Sequence, residues 1–144
     1  MKPLHAAGSF PPFVFVFLLT AAFASADWLE LGKDINGDKI YYSLESRTDD
    51  TAEVWGKRVF SARGAKEFMI DSKANGLGTE GWDTPGHLVT FYEIKCRENM
   101  SRVLSAVIYG ADGRIVYAYS FGEPIWEPIP QDSIGSLFKK KVCP

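Results

Sequence analysis

The stretch LVTFYEIKC (residues 88–96) decides the fold, together with two that follow it, RVLSAVIY (102–109) and RIVYAYSF (114–121). All three are rich in β-branched and aromatic residues, which favour strands. Polar and apolar residues alternate in the first, whereas the second is apolar on both faces, as in a central strand. The turn between the last two, at 110–113, is short, so the three strands are predicted to form an antiparallel meander.

Three more strands are predicted upstream, at residues 28–31, 39–44 and 52–60. Asn36-Gly37, between the first two, is a strong hairpin signal because both residues tolerate positive φ. The acidic residues around it resemble the start of a calcium loop, but the glycine comes too early and no glutamate closes the loop, so a solvated turn is favoured. The complete prediction is a six-stranded antiparallel sheet.

A helix is predicted to follow the sheet. The proline-rich segment 123–130 is expected to be an ordered linker, pinned by Trp126. Asp132 or Ser133 can cap the helix, and alternation in 88–96 turns Cys96 inward towards it. The fold class is therefore α+β, with the helix packed on one face of the sheet through an apolar stripe of Ile134, Leu137, Phe138 and Val142.

The stretch 61–86 contains five glycines around a short apolar piece and is predicted to be an irregular loop, either functional or mobile. Trp82, near its end, is interpreted as a residue that anchors the loop, with a ligand-contact role as the alternative.

Residues 1–26 are predicted to be a secretory signal peptide. Lys2 precedes the apolar run 13–23, which closes with Ala24-Ser25-Ala26, a pattern that signal peptidase accepts. The mature protein would be one domain, 27–144, beginning at Asp27. Because that residue is not a cysteine, no lipid anchor is expected; an uncleaved membrane anchor is the minor alternative, since the apolar run is short.

Cys96 and Cys143 are the only two cysteines of the chain. In an exported protein such a pair is expected to form a disulfide. A redox-active pair would need a close Cys-x-x-Cys spacing, which is missing.

The formal net charge of −2 becomes −3 once Lys2 leaves with the signal, so neither nucleic acid nor an anionic membrane is expected as main partner. The cluster 139–141 of three lysines is assigned to the C-terminal end of the final helix, where cations are favourable.

Enzymatic chemistry finds little support. The mature chain retains one histidine, His87, which excludes zinc sites with several histidine ligands, and Gly-x-Ser-x-Gly does not occur. Two carboxylate pairs stay open as alternatives, Asp49 with Asp50 and Glu123 with Glu127. The chain is interpreted as a non-enzymatic protein without metal or cofactor.

Aromatic residues make up 14% of the chain. An exposed aromatic face that binds planar ligands or glycans is one explanation; a sheet core with cross-strand pairs is favoured for the tyrosines. A strand edge pairing with a second copy is a further alternative. The tyrosines concerned are Tyr41, Tyr92, Tyr109, Tyr117 and Tyr119.

The order and spacing of several segments resemble the surface-adhesin protein E-like family of Gram-negative bacteria. The segments are DWLELG (27–32), Tyr41-Tyr42, Glu93-Ile94-Lys95 before Cys96, RVLS (102–105), WEPIP (126–130) and Val142-Cys143.

The resemblance implies six antiparallel strands and a C-terminal helix tethered by the disulfide Cys96–Cys143. It also implies a dimeric surface protein that binds matrix and serum proteins such as laminin, vitronectin and plasminogen. We therefore expect an exported binding protein, in the periplasm or on the outer cell surface, with a protein partner. The alternatives are a periplasmic structural or interaction protein and a small-ligand-binding module.

Overall fold

A computed structural model describes residues 27–144; the predicted signal peptide lies outside this range. The described chain forms an antiparallel sheet whose six main strands follow one another in sequence order, and a seventh strand of two residues pairs with the fifth. The elements are β1 (Leu29–Lys33), β2 (Lys39–Arg47), β3 (Thr51–Val59), α1 (Ala62–Ala74), β4 (Pro85–Lys95), β5 (Met100–Gly110), β6 (Ile115–Ser120), β7 (Glu127–Pro128) and α2 (Ile134–Val142).

The predicted six-stranded antiparallel meander is confirmed. The Asn36-Gly37 turn joins β1 to β2 as expected, with Gly37 at φ +85°. Asp34 accepts the backbone N–H groups of Asn36 and Asp38, and this ties the turn together. The proline-rich linker contributes only the two-residue strand β7, at the outer edge of β5.

The prediction of an irregular loop over residues 61–86 was wrong for its first half, which is the helix α1. Ser61 caps the helix by accepting the N–H of Gly64 at 2.9 Å. The fully buried carboxylate of Asp38 holds this cap in place, because it accepts the N–H of Ser61 at 2.7 Å. Without knowledge of that long-range contact, the glycines in this stretch indicated a loop.

The helix α2 packs on the sheet as predicted, and Ser133 is its cap. Phe138 and Val142 are almost completely buried in the core, but Leu137, which was predicted in the same stripe, is 41% exposed. The disulfide Cys96–Cys143 is present, with the Cα atoms 5.7 Å apart, and it tethers the end of α2 to the end of β4. The other core residues are Ile40, Ala52, Val54, Ile94 and Ile129.

Both helices lie on the same side of the sheet. Phe138 of α2 contacts Tyr92, and Phe68 of α1 contacts Phe60 at a ring distance of 4.8 Å. Tyr92 is the register partner of Val54. Because side chains alternate between the two faces of a strand, Val54 and Phe60 share one face, six positions apart. Within 27–144 no helix covers the opposite face.

Candidate protein-binding face

The face of the sheet opposite the two helices is here called the open face. It carries the alternate residues of β3, β4 and β5 together with two tryptophans from flanking segments. Register pairs Trp55 with Phe91 and Lys57 with Val89, while His87 pairs with Tyr109 and Glu93 with Arg102. The members of the open face used below are Trp28, Trp55, Lys57, His87, Phe91, Glu93, Lys95, Arg102, Tyr109 and Trp126.

The centre of the open face is an aromatic stack. The rings of Trp55 and Phe91 lie parallel with centroids 4.3 Å apart, and both side chains are partly exposed. The indole N–H of Trp55 donates to the carboxylate of Glu45 at 3.0 Å, which fixes the ring orientation. A rigid, partly exposed aromatic pair of this kind is typical of the residues that dominate protein–protein binding energy.

One side of the open face combines a tryptophan with two cations that are paired with glutamates, Lys95 with Glu98 and Arg102 with Glu93. The Trp126 ring contacts both Lys95 and Arg102, with Nζ and the guanidinium carbon each 4.5 Å from its centroid. Arg102 also forms an ion pair with Glu93 at 3.0 Å. Its Nε is the one buried side-chain donor or acceptor without a partner in the described part of the chain. The linker is thus pinned at Trp126, as expected, through cation–π contacts with two side chains.

On the β1 side, Lys57 lies over the Trp28 ring at 5.5 Å. His87 stacks on Tyr109 with centroids 4.4 Å apart. Burial, and after it the charge of Lys57, lower the pKa of His87 below its ordinary value. His87 is therefore predominantly a neutral aromatic member of the open face at neutral pH.

The tyrosines do not form a sheet core as a group. Tyr92 packs against the core beneath α2, and burial raises the pKa of its hydroxyl. Tyr109 lies on the open face, where it pairs across the strands with His87, and Tyr117 on β6 is 38% exposed, so the expectation of a core position was wrong for both. Trp82 stacks on Tyr117 at 5.6 Å and so connects the α1–β4 loop to β6.

The two carboxylate pairs considered in the sequence lie in different parts of the structure. Asp50 accepts the N–H of Arg97 in a turn, at 3.1 Å. Glu123 and Glu127 line a shallow cleft at the outer edge of β5. No group of three or more histidine, cysteine or acidic residues in 27–144 is arranged to hold a metal ion.

None of the helices in the described region has both the length and the apolar character needed to cross a membrane.

The alternation that turns Cys96 inward correctly puts Glu93 and Lys95 on the opposite face of the strand, but it does not give the stack of Trp55 on Phe91. Period-two alternation assigns a residue to a face and leaves open which residue of the next strand lies beside it. The register of β3 with β4 is regular throughout, but it depends on where β4 begins after α1 and the loop that follows, which alternation does not give.

Comparison with known proteins gives one assignment. The family model described as surface-adhesin protein E matches residues 28–144, nearly the entire described chain. No curated protein and no solved structure matches it. The match extends from β1 through the disulfide-tethered helix α2, and it includes every strand of the open face. The chain belongs to the surface-adhesin protein E family.

Proposed function

We propose that this protein is exported, loses residues 1–26 by cleavage after Ala26, and binds a protein partner at the cell surface through the open face. The observation that carries the proposal is the aromatic and charged surface around Trp55, Phe91, Arg102 and Trp126. Tryptophan, tyrosine and arginine are the residue types most enriched among binding hot spots.

The dimensions of the open face suit a macromolecule. Six strands about 4.8 Å apart and about nine residues long span roughly 24 Å by 30 Å, or about 700 Å². A standard protein–protein interface covers about 800 Å² on each partner. The pocket beneath α2 is a cavity of about 80 Å³ on the other side of the sheet, lined by Gly56, Tyr92 and Phe138, too small for a glycan or cofactor.

The proposed class of partner follows from the family. Membership in a surface-adhesin family supports a matrix or serum protein of the host, with laminin, vitronectin and plasminogen as the candidates to test first. Lys95 and Arg102 are paired with Glu98 and Glu93, so this side of the open face favours a partner surface with polar and aromatic groups rather than one of a single charge.

Location is tested by protease treatment of intact source cells, followed by comparison with a periplasmic marker. Loss of this protein while the marker survives supports surface display. Survival of both until the outer membrane is opened would contradict it, and would favour a periplasmic interaction role.

Binding is tested by applying the purified mature protein to immobilised laminin, vitronectin and plasminogen. The Lys57→Glu variant reverses a charge of the open face without removing core volume, and Trp55→Ala removes the centre of the stack. Lys66→Glu, on the exposed side of α1, is the matched control. We expect the two open-face variants to bind at least about tenfold more weakly than the control. Equal binding by all of them would exclude the open face.

A further inference from the structure

The two edges of the sheet differ in how well they are protected against pairing with another strand. The edge strand β1 has only five residues, is interrupted by a bulge between Glu30 and Gly32, and carries a charge at Glu30 and Lys33. Bulges and charges of this kind prevent strand addition. The other edge strand, β6, has no charged residue and no proline, and its one irregularity lies near its beginning, at Val116.

Backbone groups on the outer side of β6 are available for pairing. Phe121 donates its N–H to the carbonyl of Leu104 in β5, at 3.0 Å. Along an antiparallel strand, alternate residues bond to alternate sides, so Tyr119 also bonds to β5. Ala118 and Ser120 therefore direct their N–H and C=O groups to the outer edge. This edge has no neighbouring strand in the described chain.

An aromatic row runs along β6 on the helix-bearing side of the sheet. Trp82 stacks on Tyr117 at 5.6 Å, Tyr117 contacts Tyr119 at 5.7 Å, and Tyr119 contacts Phe121 at 5.2 Å. Tyr117 is 38% and Phe121 47% exposed. The outer edge of β6 and this row are together called the edge strip.

A cleft lies where the edge strip ends. It occurs at the outer edge of β5, between the residues paired with β6 and those paired with β7, and has a volume of about 240 Å³. Phe121 and Ile125 supply apolar walls, and Glu123 and Glu127 supply two carboxylates; Arg102, whose charge is paired with Glu93, also lines the cleft. Neither glutamate forms an ion pair with any residue of the described range.

We infer that the edge strip binds an extended segment of a partner protein as an added antiparallel strand. The segment has apolar side chains at alternate positions, which pack on the aromatic row, and a lysine or arginine near its N-terminal end. An antiparallel strand places that end beside the C-terminal end of β6, where its cation meets Glu123 and Glu127. Such strand addition takes affinity from main-chain hydrogen bonds and specificity from alternate side chains.

A flexible segment suits the edge strip better than a second folded copy. The edge is about 20 Å long and one sheet, about 10 Å, thick, so contact along it alone covers roughly 200 Å² per chain. A stable interface needs about 800 Å² per partner. A flexible segment adds to the edge contact by covering the aromatic row and entering the cleft.

This inference rests on the proposed function, since it also assumes a protein partner, but it concerns a different surface.

The test uses the mature protein and synthetic peptides about seven residues long in which valine and threonine alternate, matching the length of a typical strand. One peptide has lysine as its first residue, one has lysine as its last, and one has a central proline. Binding is measured by fluorescence anisotropy, and the amides of β6 are followed by NMR hydrogen exchange. We expect the first peptide to bind most tightly and to slow the exchange of the Ala118 and Ser120 amides.

The variants are Ser120→Pro, which removes one outward N–H without breaking a bond to β5, and Ser120→Ala as its matched control. We expect Ser120→Pro to weaken binding of the first peptide about tenfold or more, and Ser120→Ala to leave it unchanged. Glu123→Gln combined with Glu127→Gln should remove the preference for lysine at the first position. Unchanged melting temperatures would show that the variants are folded.

The inference is overturned if the peptides do not bind, or if they bind Ser120→Pro as well as the native chain. Sedimentation of a dimer that Ser120→Pro dissociates would also overturn it, because the edge would then belong to a second copy. The proposed function is tested by different assays, namely protease shaving and the Lys57→Glu and Trp55→Ala comparisons. A negative result for the edge strip can therefore be told apart from a negative result for the proposed function.

Discussion

The ring of Phe138 lies directly over Gly56, and this contact sets the distance between α2 and the sheet. A methyl group at Gly56 would come within 2.7 Å of Phe138 Cζ. The absence of a side chain at this strand position is therefore what allows the helix to approach closely, and the same ring contacts Tyr92 at a centroid distance of 5.5 Å.

We expect Gly56→Ala to destabilise the fold by about 1–3 kcal/mol, because the added methyl group overpacks the contact with Phe138. Urea unfolding of the purified protein measures the change. Gly78→Ala is the matched control, since a methyl group there would meet no atom within 4 Å. Equal stabilities for the two variants would contradict the contact.

Removal of the disulfide by Cys143→Ser, with Cys96→Ser to avoid a free thiol, should cost about 4 kcal/mol by the chain-entropy estimate for a separation of 47 residues. Calorimetry gives the size of the loss. Limited proteolysis should cut within α2 before it cuts the sheet, because the helix loses its covalent tether. Simultaneous cleavage of both would show that α2 does not depend on the bond.

Asp38→Asn should destabilise the protein by about 3 kcal/mol. The buried carboxylate accepts Arg58 Nε at 2.7 Å and the N–H of Ser61, and breaking a buried ion pair leaves an uncompensated charge. Breaking a buried ion pair usually costs about 3–5 kcal/mol, and we expect the lower value here because Arg58 keeps its second partner, Asp34, at 3.0 Å. The control Asp112→Asn, which breaks an exposed pair, should cost under about 1 kcal/mol in the same chemical denaturation assay.

The lowered pKa of His87 predicts a dependence of stability on pH. Below the ordinary value of 6.5, the unfolded chain binds a proton at this residue that the folded chain does not. The free energy of unfolding should therefore fall as the pH drops through 6.5, until the lowered folded pKa is reached. In His87→Gln this part of the pH dependence should disappear. Unfolding curves collected between about pH 5 and 8 measure the difference, and parallel profiles would refute the assignment.

The strands of this protein could be read from the sequence because alternation and turn residues are local signals. Alternation turned Cys96 inward, and the turn around Asn36 and Gly37 was recognised from two residues. The helix α1 was missed because its beginning depends on Asp38, which lies more than twenty positions before the Ser61 cap that it holds. The candidate site was the part least well predicted, because the stack of Trp55 on Phe91 depends on the register between β3 and β4, which alternation alone does not give.

The bond between Cys96 and Cys143 also determines how the molecule bears mechanical tension. A pull applied between the start of β1 and Cys143 passes through the disulfide to the end of β4. It therefore bypasses residues 97–142, which lie between the two cysteines in sequence. β1 to β4 then carry the load and unzip hairpin by hairpin, whereas β5, β6 and α2 stay outside the force path. The surface along β6 that binds a partner would therefore stay folded while the molecule is under tension.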